Sequence, residues 1–125
     1  MSEQGPLALA ERLCAAIEAG DLDAVSALYR DDFVAWSNHD DREADKARSL
    51  RTLGWLCSRL SNRHYDVRRR LALPDGYLQE HVLRGTAPDG SPVAMPACLV
   101  ATTADGQIVR INEYLDPAGV AALSR

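Results

Sequence analysis

The stretch YDVRRRLALPDGYLQEHVLRGTAPDGSPVAMPACLVATTADGQIVRINEYL, residues 65–115, decides the fold of this chain. It is interrupted by three Asp-Gly dipeptides, at Asp75-Gly76, Asp89-Gly90 and Asp105-Gly106. Asp-Gly between runs of strand-forming residues is a strong signal of a β-hairpin. The stretch therefore predicts an antiparallel meander of four strands: Tyr65 to Leu73, Tyr77 to Thr86, Pro92 to Thr103 and Gln107 to Leu115.

Helical patterns precede this meander. Behind Pro6, apolar residues from Leu9 to Ile17 recur at helical spacing, and Gly20 ends this first helix. The further expected elements are a helix from Leu22 to Tyr29, a strand from Phe33 to Asn38, a polar loop from Asn38 to Asp45, a helix with the apolar stripe Ala47 to Leu60, and a closing helix from Asp116-Pro117 to Leu123. Helices followed by a run of strands predict an α+β fold, and a chain of 125 residues can form one domain, residues 1–125.

Composition and charge argue against several classes of function. The net charge of −4 disfavours nucleic-acid binding, which needs a basic face. No apolar run approaches the roughly 18 residues of a membrane span, and no signal pattern opens the chain, so we expect no membrane contact and a cytoplasmic location. Cys14, Cys57 and Cys98 lack Cys-x-x-Cys spacing and are interpreted as reduced core residues.

Glu113 interrupts an apolar row on the last predicted strand. Val109, Ile111 and Leu115 share its face by strand alternation. Burial raises the pKa of a carboxyl group, which suits a general acid or base near neutral pH. The alternative, in which Glu113 reaches water near the strand end or pairs with an arginine, stays open.

His81 lies on the second meander strand, in a row with Tyr77, Gln79 and Leu83. Histidine exchanges a proton near pH 7, and a carboxylate partner would orient it. A purely structural histidine is the alternative. The opposite row of this strand is also half apolar, so the pattern leaves open which row faces the interior.

Trp36 and Asn38 share a row on the first predicted strand. Trp36 is a candidate for the wall of an apolar pocket or for plain core, and Asn38 for a donor to a carbonyl group or a holder of water. His39-Asp40-Asp41 is interpreted as a solvated loop, because adjacent residues point apart. No motif of a metalloprotease, serine hydrolase, phosphate loop or dinucleotide site occurs, so we expect neither a metal nor an organic cofactor.

Four stretches carry a resemblance to a known superfamily: residues 19–25, AGDLDAV; residues 29–33, YRDDF; residues 105–109, DGQIV; and residues 112–117, NEYLDP. They are similar to the nuclear-transport-factor-2-like group, which includes SnoaL-type polyketide cyclases, limonene epoxide hydrolase and ketosteroid isomerase. The resemblance covers nearly the whole chain. It implies a cone-shaped, strongly curved antiparallel sheet packed on three N-terminal helices, with a deep pocket between them.

The resemblance also assigns roles to single residues. Glu113 falls where hydrolases and cyclases of this group carry a pocket acid, and Asn38 matches a water-holding residue of the hydrolase. Trp36 stands where the hydrolase has a tyrosine. Where the hydrolase has Arg-x-Asp, this chain has Gln79-Glu80-His81, which favours a simple acid–base pair over the hydrolase's relay.

These observations predict a cofactor-independent acid–base enzyme for an apolar cyclic or polyketide-like small molecule, catalysing isomerisation, cyclisation or dehydration. His81 and Glu113 would share the acid and base roles, with Asn38 polarising a carbonyl group or a water molecule. The residues expected to contact the substrate are Trp36, Gln79, Trp55 and Met95. The alternatives are a non-catalytic module for binding or dimerisation, and an epoxide hydrolase.

A homodimer in dilute solution is the first testable expectation. It rests on the resemblance and on the outer row Arg110, Asn112 and Tyr114, whose mixed polarity suits an interface with a polar rim. Light scattering at micromolar concentration should give twice the mass of the 13.6 kDa chain. A monomer mass under those conditions would contradict the expectation.

Overall fold

Helices precede strands in this chain, as the sequence pattern predicts. The structure, a computed structural model, describes residues 5–124. Its elements in chain order are α1 (Pro6–Ala19), α2 (Leu22–Leu28), β1 (Tyr29–Ser37), β2 (Arg42–Asp45), α3 (Lys46–Arg59), β3 (Ser61–Leu73), β4 (Gly76–Thr86), β5 (Pro92–Ala104), β6 (Gln107–Leu115) and α4 (Ala118–Ala122). The two longest helices have 14 residues each, and within residues 5–124 no helix combines the length and apolarity needed to cross a membrane.

The six strands form a single sheet in the order β2-β1-β6-β5-β4-β3. Antiparallel pairing runs from β3 through β4 and β5 to β6, which confirms the predicted meander and the α+β class. At Gly76 a Cβ atom would lie 1.8 Å from the carbonyl oxygen of Ala101. The first position of β4 therefore requires glycine, because the backbones of β4 and β5 approach closely there.

The sheet is mixed rather than purely antiparallel, which corrects the expectation drawn from the resemblance. β1 pairs with β6 in the parallel sense, with Ala35 opposite Ile111 and Ser37 opposite Glu113. No hairpin joins these two strands, so no turn signal in the sequence could report their relative direction.

The polar segment before α3 also differs from expectation, because it contains the edge strand β2. Arg42 pairs with Ser37 and Asp45 with Val34. A short, charged edge strand protects the sheet from pairing with other chains, and it lacks the apolar alternation that identifies a strand in sequence.

The sheet is curled but not closed. Register shifts occur between Tyr29 and Val34, between Val67 and Arg69, and between Thr102 and Thr103. Such bulges bend a strand and increase its local twist. We call the face that packs on α1 the inner face and the opposite one the outer face; α1 contacts β3 and β4, whereas α3 contacts β1, β2 and β3.

Two apolar clusters hold these layers together. The buried side of α1 is the predicted one, Leu9, Ala10, Leu13, Cys14, Ala16 and Ile17, and it packs on the inner face through residues such as Tyr77, Leu99 and Ile108. The second cluster lies beside α4, where Leu123 and Leu60 are fully buried with Met95 and Leu83.

The guanidinium of Arg63, on β3, joins the ends of two helices. Its Nε and Nη2 donate to the carbonyl oxygens of Ile17 (2.9 Å) and Glu18 (3.2 Å) at the end of α1. Its Nη1 donates to the carbonyl oxygens of Cys57 (2.8 Å) and Leu60 (2.6 Å) at the end of α3. Carbonyl groups at helix C-termini have no partner within the helix, and a cation there complements the helix dipole. Arg63 therefore fixes α1 and α3 relative to each other.

Replacement of Arg63 by methionine should lower the free energy of unfolding by about 3 kcal/mol, since hydrogen bonds to charged groups contribute about 1.5–3 kcal/mol and these four are not independent. Urea unfolding measures the change. Arg59→Met is the matched control, because Arg59 is exposed in the last turn of α3, and it should cost under about 0.5 kcal/mol. Equal losses in the two variants would contradict the role of Arg63.

Candidate active site

The inner row of β4 is the one that carries His81. Tyr77, Gln79, His81 and Leu83 are all buried, whereas the residues between them are half-buried. This settles the orientation that the sequence leaves open. Across β5, Gln79 lies opposite Leu99, and Leu99 lies opposite Glu113 on β6, so His81 and Glu113 belong to the same face of the sheet.

The inner row of β6 differs from the predicted row at one position. Thr102 pairs with Arg110 and Thr103 with Ile108, so the register skips Val109. Ile108 takes the buried position, at 0% exposure, in place of the predicted Val109. Ile111 and Glu113 keep their predicted places because the bulge precedes them.

Glu113 lies deep among protein atoms, and burial raises the pKa of its carboxyl group from 4.5 to about 7. Desolvation is the sole cause: within residues 5–124 no positive charge or hydrogen-bond donor offsets it. The side chain is nevertheless not sealed, since it retains partial solvent exposure. Glu113 thus combines a near-neutral pKa with lone pairs that no protein group occupies.

A buried network of hydrogen bonds surrounds His81 on the same face. Gln79 Nε2 lies 2.8 Å from His81 Nδ1, and Gln79 Oε1 accepts a 2.8 Å hydrogen bond from Arg70 Nε. Gln79 Nε2 and Arg70 Nη2 also reach Cys14 Sγ on α1, at 3.5 and 3.6 Å. Burial first, and the charge of Arg70 second, lower the pKa of His81 from 6.5 to about 4. The imidazole is therefore neutral at pH 7.

His81 and Glu113 do not bond to each other; the described part of the chain contains neither a hydrogen bond nor an ion pair between them. Their strands are separated by β5, so the backbones of β4 and β6 lie about 10 Å apart. The two groups thus face the same interior from separate strands.

Tyr65 on β3 packs against His81. Its ring meets the ring of His81 edge-on, with centroids 4.9 Å apart and planes at 81°. Burial, and next the charge of Glu113, raise the pKa of Tyr65 well above its ordinary value. Tyr65 therefore remains a neutral phenol.

The helix α3 packs on the inner face through part of its apolar stripe. In contrast to the buried stripe of α1, the apolar stripe of α3 is only half-buried, through Leu50, Leu53, Leu56 and Cys57. Three of these, Leu50, Leu53 and Cys57, pack on the core cluster of the inner face. Part of the apolar surface of α3 thus stays uncovered by the described residues.

Asn38 and Trp36 do not join His81 and Glu113. Asn38 Oδ1 accepts from the Leu115 amide (2.9 Å) and its Nδ2 donates to the Leu115 carbonyl (3.3 Å), so its polar atoms extend the β1–β6 pairing. Trp36 lies on the outer face, where its Nε1 donates to Asp41 and its ring meets Tyr114. Both corrections have one cause: on β1 the inner row contains Ala35 and Ser37, which lie beside Ile111 and Glu113.

Of the other three residues predicted to contact the substrate, Gln79 lies next to His81, whereas Met95 and Trp55 lie farther away. Gln79 is buried at 1% exposure and touches His81. Met95 is buried on the inner row of β5 but packs beneath α4, close to Gly119. Trp55 is 38% exposed on α3 and lies outside the site.

An open depression of about 560 Å³ is lined mainly by residues of the outer face such as Glu80, Cys98 and Tyr114, and it also includes Asn38 and His81. Within residues 5–124 no group of three His, Cys, Asp or Glu side chains is placed to hold a metal ion, and His39-Asp40-Asp41 is an exposed turn.

Comparison with known proteins fits this geometry. The profile of the SnoaL-like domain matches residues 10–111, which include β1, the inner rows of β4 and β5, and the first half of β6. The chain belongs to the SnoaL-like domain family. Among curated proteins, none matches it by sequence.

Solved structures show the fold of this SnoaL-like protein at low sequence identity. IdmH of Streptomyces antibioticus, a proposed polyketide cyclase, is 20% identical with a TM-score of 0.82, over 96% of this chain and 99% of that one. A limonene-epoxide-hydrolase-like epoxide hydrolase of M. tuberculosis is 22% identical with a TM-score of 0.76, over 96% and 90%. PrhC of Penicillium brasilianum is 16% identical with a TM-score of 0.84, over 97% and 85%.

Sequence reasoning missed Arg70, Cys14 and Tyr65. The register shift between Val67 and Arg69 places Arg70 on the inner row, and strand alternation alone cannot locate such a bulge. Cys14 fits the apolar stripe of α1, so its sulfur contact with Gln79 carries no sequence signal.

The raised pKa of Glu113 predicts a specific pH dependence of stability. Between pH 4.5 and about 7 the folded protein holds a proton on Glu113 that the unfolded chain has lost, so stability falls as pH rises. Glu113→Gln removes this pH-dependent contribution to stability. The free energy of unfolding of the variant minus that of the wild type should therefore rise by about 2–3 kcal/mol from pH 5 to pH 8. Urea unfolding at the two pH values measures it.

His81 acts in the opposite direction, because its lowered pKa makes stability fall as pH drops from 6.5 toward about 4. That contribution is the same in both proteins and cancels in the difference. Glu80→Gln, on the half-exposed carboxylate that pairs with Arg69 on the outer face, should show no such gain. A difference for Glu113→Gln that is independent of pH would refute the buried carboxyl group.

Proposed function

We propose that this SnoaL-like protein is a cofactor-independent enzyme that moves a proton on an apolar, enolisable carbonyl compound of cyclic or polyketide-like structure. The reaction is an isomerisation, an aldol-type cyclisation or a dehydration. The single observation that carries the proposal is Glu113, a carboxyl group with a pKa of about 7 and no bound partner, on the same face as His81.

Glu113 serves as the general base. A base is most effective when its pKa lies near the working pH, and burial brings this carboxyl group there. Its lone pairs accept no protein hydrogen bond and can approach a proton on the carbon beside a carbonyl group. The protonated carboxyl group then returns the proton to another atom of the substrate, so the enzyme ends the cycle unchanged.

His81 supports the oxygen of the same substrate. Removal of the proton places negative charge on the carbonyl oxygen, and a hydrogen bond aimed at that oxygen lowers the barrier. A neutral imidazole is suited to this task, because it carries no charge and so holds no counter-ion that the substrate would have to displace. The separation of about 10 Å between β4 and β6 provides room for a substrate between the two groups.

The surroundings favour a neutral, apolar substrate. Leu99 and Ile111 flank the polar groups on the sheet, and Leu50, Leu53 and Cys57 of α3 pack on the apolar cluster that contains them. The basic side chain bonded to Gln79, Arg70, already donates to Gln79 and Cys14. Arg70 is therefore not free to pair with a carboxylate or phosphate on the substrate.

Proton exchange on 2-tetralone, a two-ring ketone, tests the proposal without knowledge of the natural substrate. The protein should accelerate exchange of the protons beside the carbonyl group in D₂O, followed by NMR. Glu113→Gln should reduce the enzymatic rate by at least about 100-fold. The wild-type rate should rise with pH and level off above about 7, as Glu113 becomes the carboxylate.

Glu80→Gln is the matched control, since it changes a carboxylate on the outer row of β4 and should retain wild-type exchange. Acceleration that survives in Glu113→Gln would exclude Glu113 as the base. Resonance shifts of inner-face residues on addition of 2-tetralone, with no acceleration of exchange, would identify a binding module instead of an enzyme.

A further inference from the structure

The side chain of Gln79 is fixed between two partners that leave its amide one orientation. Arg70 can only donate hydrogen bonds, and its Nε lies 2.8 Å from Gln79 Oε1, so that atom must be the amide oxygen. The amide nitrogen then faces His81, with Nε2 2.8 Å from Nδ1. Gln79 is 1% exposed, so water does not compete for these positions.

This orientation decides which nitrogen of His81 carries the proton. An amide NH₂ group donates and cannot accept, so Nδ1 must accept through its lone pair. A neutral imidazole carries one proton, which then resides on Nε2. Nε2, which bonds to no protein group within residues 5–124, is therefore an N–H donor.

We propose that Arg70 and Gln79 form a relay that holds His81 in the Nε2–H tautomer, so that the imidazole donates a hydrogen bond to the substrate oxygen. Arg70 and Gln79 are positioning residues: they act through His81 and do not touch the substrate. The inference rests on the proposed function for its purpose, but the tautomer itself is a property of the free protein.

Two neighbours hold the relay in place. Cys14 Sγ accepts the second N–H of Gln79 at 3.5 Å and a hydrogen bond from Arg70 at 3.6 Å, so the amide cannot turn over without losing several contacts. The ring of Tyr65 stands edge-on to the imidazole and fixes its plane. The orientation thus depends on α1, β3 and β4 together.

The relay separates the roles of the two polar groups. An Nε2–H group cannot take a proton from the substrate, so proton transfer falls to Glu113 alone, and His81 stabilises charge on oxygen. This differs from the shared acid and base roles predicted from the sequence.

Long-range ¹H–¹⁵N correlation spectra of the ¹⁵N-labelled protein at pH 7 read the tautomer directly. We expect a pyrrole-like Nε2 and a pyridine-like Nδ1 for His81, assigned by their loss in His81→Phe; His39 and His64 are the other histidines of the chain. A pyrrole-like Nδ1 in the wild-type protein would overturn the proposal, whether or not any variant folds.

Gln79→Glu should reverse the spectrum. A carboxylate accepts from Arg70 and also from the imidazole, so Nδ1 of His81 should now carry a proton and its resonance should become pyrrole-like. Gln107→Glu is the matched control, because Gln107 bonds to the carbonyl groups of Ala27 and Tyr29 away from the network. A pyridine-like Nδ1 that persists in folded Gln79→Glu would refute the relay.

Arg70→Met tests the first interaction of the relay, the hydrogen bond from Arg70 to Gln79. Without the guanidinium the amide of Gln79 can turn over, so the Nδ1 resonance should move toward the average of the two tautomers. Arg69→Met is its control, since Arg69 pairs with Glu80 on the outer face and should leave the spectrum unchanged. An unchanged spectrum in Arg70→Met would limit the relay to Gln79 and overturn the role of Arg70.

The exchange assay separates this inference from the proposed function. If both hold, Gln79→Glu should lose about 100-fold in 2-tetralone exchange, the usual loss when a donor to a developing oxyanion is removed. The expected spectra without exchange in the wild-type protein would retain the relay and reject the enzyme. Exchange with the opposite tautomer would retain the enzyme and reject the relay.

Discussion

The guanidinium of Arg63 ties the C-terminal ends of α1 and α3 to the first residues of β3, and the placement of α3 relative to α1 depends on that connection. Because α1 packs tightly on β3 and β4, the position of its end is fixed by the core. Because Arg63 bonds to both helix ends, it also fixes the end of α3. This helix contacts β1, β2 and β3. The C-terminal end of α3 is thereby fixed next to the end of α1, while the apolar stripe of α3 stays half-buried.

On the inner face, one physical effect is the largest cause of both pKa shifts. Burial disfavours the charged form of any side chain, so it raises the pKa of Glu113 to about 7 and, together with the charge of Arg70, lowers that of His81 to about 4. The same desolvation thus contributes to a carboxyl group that can exchange a proton near neutral pH and to an imidazole that stays neutral there. Neither result needs a direct contact between the two, since each follows from the surroundings of its own side chain.

The outer face has a different role. Trp36 meets Tyr114 there, and Arg110 pairs with Glu43 across β1 to the edge strand β2. Asn38 completes the end of the parallel β1–β6 pair by bonding to the backbone of Leu115. Residues that resemble site residues of related enzymes by position therefore serve, in this chain, to hold the one parallel pair of the sheet together. The family resemblance identifies the fold correctly, whereas the face on which Trp36 lies depends on strand orientation that the resemblance does not report.

The sequence by itself determined the helix-then-meander order, the buried stripe of α1, the hairpin turns at Asp-Gly, and the presence of an acid in the apolar row of β6. These features are encoded in local periodicity and turn chemistry, which act between residues close in the chain. Tertiary structure alone decided the parallel pairing of β1, the inward side of β4, the skip at Val109, and the meeting of Arg70, Gln79, His81 and Cys14. Bulges shift strand alternation by one residue without a sequence signature, and contacts between α1, β3 and β4 exist only after the sheet has curled, because they join residues up to 65 positions apart.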